Sequence, residues 1–224
     1  MAVAWLRSPV GLGRATAVLL GAVVVTRLFG LWAGSVTYGV YSDLADGVDV
    51  VERAVEADRL ENLAAVVQGP PFMAAIVVYL CWFWRVRVNA EVFEPAGHAM
   101  GRGWTIGGWF LPIANFWIPR RVMADVWRAS APVGRTVSYG LVNAWWVMWV
   151  LTALVGWGAG VNYRSAETAA ELREASGVTM VTDLMGAVAG VLAILVVLRV
   201  TRMQNEKALA GPQGAVSLGV GVSP

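Results

Sequence analysis

Hydrophobic positions along the chain gather into long uncharged runs, with neither the alternation of a strand nor the one-sided stripe of a soluble helix. From Ala15 to Tyr41 the chain reads ATAVLLGAVVVTRLFGLWAGSVTYGVY, interrupted by one charge, Arg27. A second run extends from Leu63 to Trp84 with Pro70 and Pro71 near its start, where a kink or a helix start is expected. The third, Tyr139 to Val161, has no charge and four Trp; the fourth, Val178 to Leu198, is broken only by Asp183 and ends in Arg199 and Arg202. About 20 helical residues cross about 30 Å of hydrocarbon, so each run can span. The first runs on too far past Arg27 for a cleaved signal peptide. The pattern predicts an all-α integral membrane protein: a four-transmembrane-helix bundle with spans at about 15–41, 63–84, 139–161 and 178–198 inside a membrane domain of residues 15–199.

The polar segments between these runs differ in sign. Asp43 to Glu61 holds seven acids against Arg53 and Arg59, and Asn162 to Gly177 holds three against Arg164 and Arg173. Arg85 to Arg135 holds seven Arg, and the two ends add Arg7, Arg14, Arg199, Arg202 and Lys207. Twelve of the seventeen basic residues therefore share one side, four lie on the other, and Arg27 is inside a span. That asymmetry assigns the N-terminus (1–14), the middle loop and a mobile tail (200–224) to the cytoplasmic side of a plasma membrane. The uncharged, aperiodic stretch after Lys207 reads as mobile. In the first acidic loop, Leu44, Val48, Val51 and Val55 recur at helical spacing and predict an amphipathic helix over the bundle mouth. In the second, Ser165 as N-cap, Glu167 in the first turn and Gly177 as a stop predict a short helix.

Composition agrees with a membrane protein: 58% hydrophobic and 14% charged residues, against about 45–50% and 25% in soluble domains. Cys81, the single cysteine, excludes an internal disulfide or multi-thiolate site and reads as a small buried hydrophobe. His98, the single histidine, lies in the loop PAGHAMGRG and reads as solvated; one His makes no metal site. The glycines of GRGWTIGG lack a preceding strand and the Lys-Ser/Thr ending of a phosphate loop. No Ser, Thr or Cys has a candidate base near it in sequence. The expectation is a protein that is not an enzyme, with no cofactor and no nucleic-acid partner.

The middle loop contains WTIGGWFLPIANFWIP, Trp104 to Pro119, followed by RRVMADVWRAS. Sixteen residues with two prolines and a Gly pair are too short and broken for a straight span. A crossing would also carry Arg120, Arg121, Arg128 and Arg135 outside. The stretch 104–130 is therefore expected to be re-entrant or interfacial, with Trp104, Trp109 and Trp117 at headgroup level. Beyond Pro119, Val122, Met123, Val126 and Trp127 share one helical face while Arg121, Asp125 and Arg128 share another at pairing distance. This reads as a basic amphipathic helix on anionic inner-leaflet lipid, Asp125 and its Arg neighbours being a solvated surface pair.

From Trp82 to Ser130 the chain resembles an uncharacterised, largely actinobacterial membrane-protein family, the domain of unknown function 4328. The likeness rests on Trp82 to Glu91 followed by GWTIGGWFLPIANFWIPRRVMADVWRAS. Where that family often has Ser-Pro-Gly-Trp, this chain has Met100-Gly101-Arg102-Gly103-Trp104. The resemblance implies a shared membrane architecture and carries no activity.

Arg27 and Asp183 are the charges within the spans. Counted from the outer span ends at 1.5 Å per residue, Arg27 lies about 21 Å deep and Asp183 about 8 Å, which disfavours a direct pair. Snorkelling, or capture of Arg27 by carbonyls of the broken segment, Asn115 or Asn143, is the expected compensation. The candidate functional or structural residues are Arg27, Asp183, Trp109, Pro112, Asn115, Trp117, Pro119, Arg121, Asp125, Trp127 and Arg128. The functional expectation is a scaffold or regulatory subunit whose basic cytoplasmic face engages lipid, a second copy or another membrane protein. The alternative is a small oligomeric transporter or channel using Arg27 and Asp183.

Overall fold

The computed structural model describes residues 6–132 and 137–210, and among them there are helices and no strand. The helices are α1 (Val10–Ala45), α2 (Val51–Phe93), α3 (Trp104–Phe110), α4 (Ile118–Ser130), α5 (Gly140–Ser165) and α6 (Ala169–Leu209), with a single 3₁₀ turn at Ala114–Phe116. Four of them, α1, α2, α5 and α6, are long and apolar enough to cross a membrane. Arg135 and the tail beyond residue 210 lie outside the described residues.

The helices outrun the apolar runs that predicted them. At 43 residues α2 is about 65 Å long, twice a hydrocarbon core, so it carries its acidic start and its Arg-rich end beyond the apolar middle. It continues through Pro70 and Pro71 without ending. A short turn joins it to α1, and Gly47 takes φ +80° there, a conformation that costs glycine nothing. The expected amphipathic helix over the mouth is not a separate element: Leu44, Val48, Val51 and Val55 are all exposed. The inward stripe is instead Val50 and Ala57, packed with Val40 and partly buried Ala54, because small side chains let α1 and α2 approach closely.

The second acidic loop also differs from expectation. Ser165 ends α5, and α6 starts from Thr168, whose hydroxyl accepts the Glu171 N–H (3.2 Å) while the Glu171 carboxylate accepts the Thr168 N–H (3.0 Å). This capping box satisfies two otherwise unpaired amides, and the helix passes Gly177 without stopping. At its other end α6 runs to Leu209, so residues 200–209, expected in the mobile tail, are helical, and Val200, Thr201, Met203 and Gln204 are buried.

α1 and α6 pack antiparallel through small residues. A Cβ at Gly190 would stand 2.7 Å from Val24, one at Gly30 2.8 Å from Asp183, and one at Gly34 3.0 Å from Met180. The best-buried core lies at the end that holds the start of α1 and the end of α6, and there α4 is inserted. Trp82, Phe83 and Val86 of α2, Val122, Met123 and Val126 of α4, and Val196, Val197 and Val200 of α6 close on one another.

Candidate functional site

The end of the bundle that holds the start of α1 and the end of α6 also carries buried polar groups. Trp82, Val86 and Asn89 occupy one face of α2, and Val197, Val200 and Gln204 one face of α6, so helical periodicity delivers an amide from each to the same layer. Asn89 Nδ2 donates to Gln204 Oε1 (3.0 Å) and to the Arg7 carbonyl (2.8 Å), and Asn89 Oδ1 accepts the Arg7 N–H (3.1 Å). Gln204 Nε2 donates to the Val86 carbonyl (2.8 Å) and to Ser130 Oγ (3.0 Å), and Trp82 Nε1 donates to Thr201 Oγ1 (3.0 Å). Lys207 donates to the carbonyls of Ala129 (2.9 Å) and Ala131 (3.1 Å), tying off the C-terminus of α4. Four segments distant in sequence are thus held by one saturated network, the arrangement in which buried polar groups specify a unique packing.

On the same stretch of α2, two residues before Asn89, Arg87 is 2% exposed. Its guanidinium donates to Glu91 (2.6 Å) and to the Met100 carbonyl (2.7 Å), and Arg102 closes on the other oxygen of Glu91. The loop 94–103 is thereby folded back on α2 and α4. Asp125 Oδ2 accepts the Ala99 N–H (3.0 Å), and Arg128 reaches Glu94 (3.5 Å), Asp125 (3.8 Å) and the Gly97 carbonyl. Asp125 is therefore a loop anchor, not a solvated partner of Arg121, which stands exposed with no ion pair among the described residues. His98, expected in solvent, is half-buried with both ring nitrogens enclosed and unpaired among the described residues. Burial, and then the nearby Arg87 charge, push its pKa below the ordinary value, partly offset by the Ala90 backbone, which approaches the ring without a full hydrogen bond, and then by Asp125 and Glu91.

The broken segment packs into the bundle. Trp109 meets Tyr79 (ring centroids 5.6 Å), Trp146 (5.9 Å) and Trp149 (5.4 Å), so its ring packs on α2 and α5. Trp146 Nε1 donates to the Phe116 carbonyl (2.9 Å). Gly108 is required where Ile118 crosses it, and Pro119 is buried in the first turn of α4, where its missing N–H costs nothing. Pro112 is exposed, Trp117 is half-exposed, and Asn115 Oδ1 is buried with no partner among the described residues. The apolar face of α4, including Trp127 at 4% exposure, is spent on α2 and α6 and is not free to lie on lipid.

Arg27 and Asp183 do pair, at 2.9 Å, against the expectation from depth counting. The reason is that α6 begins at Ala169 and α1 ends at Ala45, so from the true helix ends the two residues differ in depth by only about 6 Å. Asn143 is taken by Arg120 (2.6 Å) and is no partner of Arg27. Cys81, expected to be buried, is exposed and lines a groove of about 690 Å³ between the N-terminal segment, α2 and α3. Arg7, Arg85 and Arg102 stand around this groove, and Leu12, Trp84 and Ile106 form its apolar wall. Among the described residues no three His, Cys, Asp or Glu side chains gather as metal ligands.

The buried amides of Asn89 and Gln204 left a sequence signal, since each continues the apolar stripe of its helix. Gln204 was missed because it lies beyond the apolar run and reads as tail. Comparison with curated proteins and with solved structures returned no match. The profile of one family, described as a domain of unknown function (DUF4328), matches residues 46–202, which takes in α2 to α5, most of α6 and the whole of the network except Arg7, Gln204 and Lys207; the chain belongs to that family.

Proposed function

We propose that this protein is a non-catalytic membrane scaffold or regulatory subunit whose basic end lies at the cytoplasmic leaflet and holds an anionic lipid. The observation that carries this reading is the groove at Cys81, which joins three guanidinium groups to an apolar wall. An anionic headgroup with its acyl chain has that same polarity, and each basic residue near an anionic surface contributes about 1 kcal/mol. Arg7 and Arg85 make no ion pair among the described residues, so their charge is available, whereas Arg102 shares Glu91. Residues 104–119 act as a re-entrant plug supporting one wall. Phe116 and Trp109 pack on Trp149, ten residues past Tyr139 and so about 15 Å along that run.

Native mass spectrometry of the protein released from mixed bilayers tests this. Retained phosphatidylglycerol should exceed phosphatidylcholine, and Arg7→Gln with Arg85→Gln should lower that retention about fivefold or more. Equal retention of the two lipids would remove the electrostatic part of the proposal. The competing reading, a transporter using Arg27 and Asp183, would require a solute flux in proteoliposomes that Asp183→Asn abolishes without loss of folding.

A further inference from the structure

The Arg-rimmed groove has a neighbour further into the bundle, a cavity of about 320 Å³ between α1, α2, α3, α5 and α6. Leu80 belongs to the walls of both, and three helices run from one to the other. On α1, Leu12 lines the groove and Leu20, about two turns on, lines the cavity. On α3 the corresponding residues are Ile106 and Phe110, about one turn apart, and on α2 they are Trp84 and Ile76. On each helix the groove residue lies nearer the basic end and the cavity residue nearer the middle of the apolar run. The groove holds Arg7, Arg85 and Arg102, whereas no charged side chain among the described residues lines the cavity. Phe72 and Phe110 belong to the cavity wall and are exposed on the outer surface, so the cavity opens sideways towards the bilayer. Thirteen residues separate Arg85 from Phe72, about 20 Å of helix. One leaflet takes about 15 Å of a hydrocarbon core of about 30 Å, so a chain whose headgroup sits at Arg85 ends beside Ile76 and Phe72.

We infer that this cavity receives the acyl chain of the anionic lipid whose headgroup the groove holds, so that one lipid occupies both. This rests on the lipid reading above and supplies its apolar half. A chain gains little by leaving bulk hydrocarbon for an apolar wall, because lipid tails are as apolar as Leu. What favours entry is the void itself, whose lining atoms lack partners on one side until a chain fills it. Ala75, Ala189 and Ala193 keep that void open between the helices, and a flexible chain follows its irregular wall. Capture of the headgroup by Arg7 and Arg85 then acts as a tether, raising the local concentration of the chain at the cavity mouth. A free anion would fill the groove alone and a neutral lipid the cavity alone; an anionic lipid matches the whole seam.

The test places the full chain in phosphatidylcholine nanodiscs with a trace of phosphatidylglycerol that carries a diazirine at the end of one acyl chain. After illumination, adducts are mapped by peptide mass spectrometry. Adducts at Leu20, Ile76 and Phe110 should exceed those at Val77 and Leu151, which are exposed outside the cavity, by about fivefold, the gain from tethering. Phosphatidylcholine with the same diazirine should label the two sets evenly, and so should the phosphatidylglycerol probe on Arg7→Gln with Arg85→Gln. Ile76→Trp, which fills the cavity, should abolish the excess at Leu20 and Phe110 while retained phosphatidylglycerol still exceeds phosphatidylcholine in native mass spectrometry. The wild-type map decides the matter even if that variant does not fold. Retention of phosphatidylglycerol over phosphatidylcholine with adducts spread evenly over the outer faces would overturn this inference and leave the headgroup site standing. Equal retention of the two lipids would overturn both.

Discussion

Arg27 on α1 and Asp183 on α6 are 156 residues apart in sequence and 2.9 Å apart in space, with Gly30 and Gly186 flanking them. A Cβ at Gly30 would stand 2.8 Å from the Asp183 carboxylate and one at Gly186 3.3 Å from Arg27 Nε. The glycines make room for the ion pair, and the pair fixes the sliding register of two helices whose other contacts are apolar and small. Asp183→Leu should therefore destabilise the protein by about 3 kcal/mol, the low end for a desolvated pair because the Arg27 side chain keeps 24% exposure. Adding Arg27→Leu should restore most of it, read by thermal unfolding in one detergent. Additive losses in the double variant would show that the two residues do not act as a pair.

Asn89 and Gln204 should be coupled energetically. Gln204→Leu deprives Asn89 of an acceptor and Ser130 of a donor, at about 2 kcal/mol, and Asn89→Leu should cost about the same. A double-mutant cycle should return a coupling of about 1 kcal/mol, and a value near zero would mean the two amides are satisfied independently.

His98 makes stability pH-dependent in a defined direction. Its folded pKa lies below the ordinary 6.5, so the unfolded chain takes up the proton first and the folded state loses stability as pH falls through 6.5 towards the folded value. Above 6.5 the contribution is flat. Melting temperatures of the wild type should fall between pH 7 and pH 5.5 more than those of His98→Gln, and parallel curves would assign the loss to other groups.

Ile113 takes φ +66° between α3 and the 3₁₀ turn, a conformation strained for a β-branched residue. Strain of this kind costs about 1–3 kcal/mol, and Ile113 is 71% exposed, so its side chain offers little packing in return. Ile113→Gly should raise stability by about 1 kcal/mol; a loss would show that the exposed side chain is held by a surface outside this chain.

Orientation is open to labelling in a Cys81→Ser background. Cysteine at Glu56 or Glu171 should react with an impermeant reagent from outside intact cells, and cysteine at Arg102 or Arg202 only after permeabilisation. External labelling at Arg202 would invert the assignment drawn from the Arg distribution.

The number and order of the long helices were legible in the sequence, because an apolar run of about 20 residues has few other solutions than a helix in lipid. So was the broken nature of 104–119, from its prolines and glycines, and so was the family. Three things were decided only by tertiary structure. The apolar face of α4 covers protein, not lipid, and composition is blind to that choice because lipid tails are as apolar as Leu and Val. Arg27 finds Asp183 because α1 and α6 extend as helices past their apolar runs, which only caps such as Thr168 and Glu171 settle. And Asn89 meets Gln204 because α2 and α6 bring their ends together across 115 residues of chain, a proximity that no local pattern encodes.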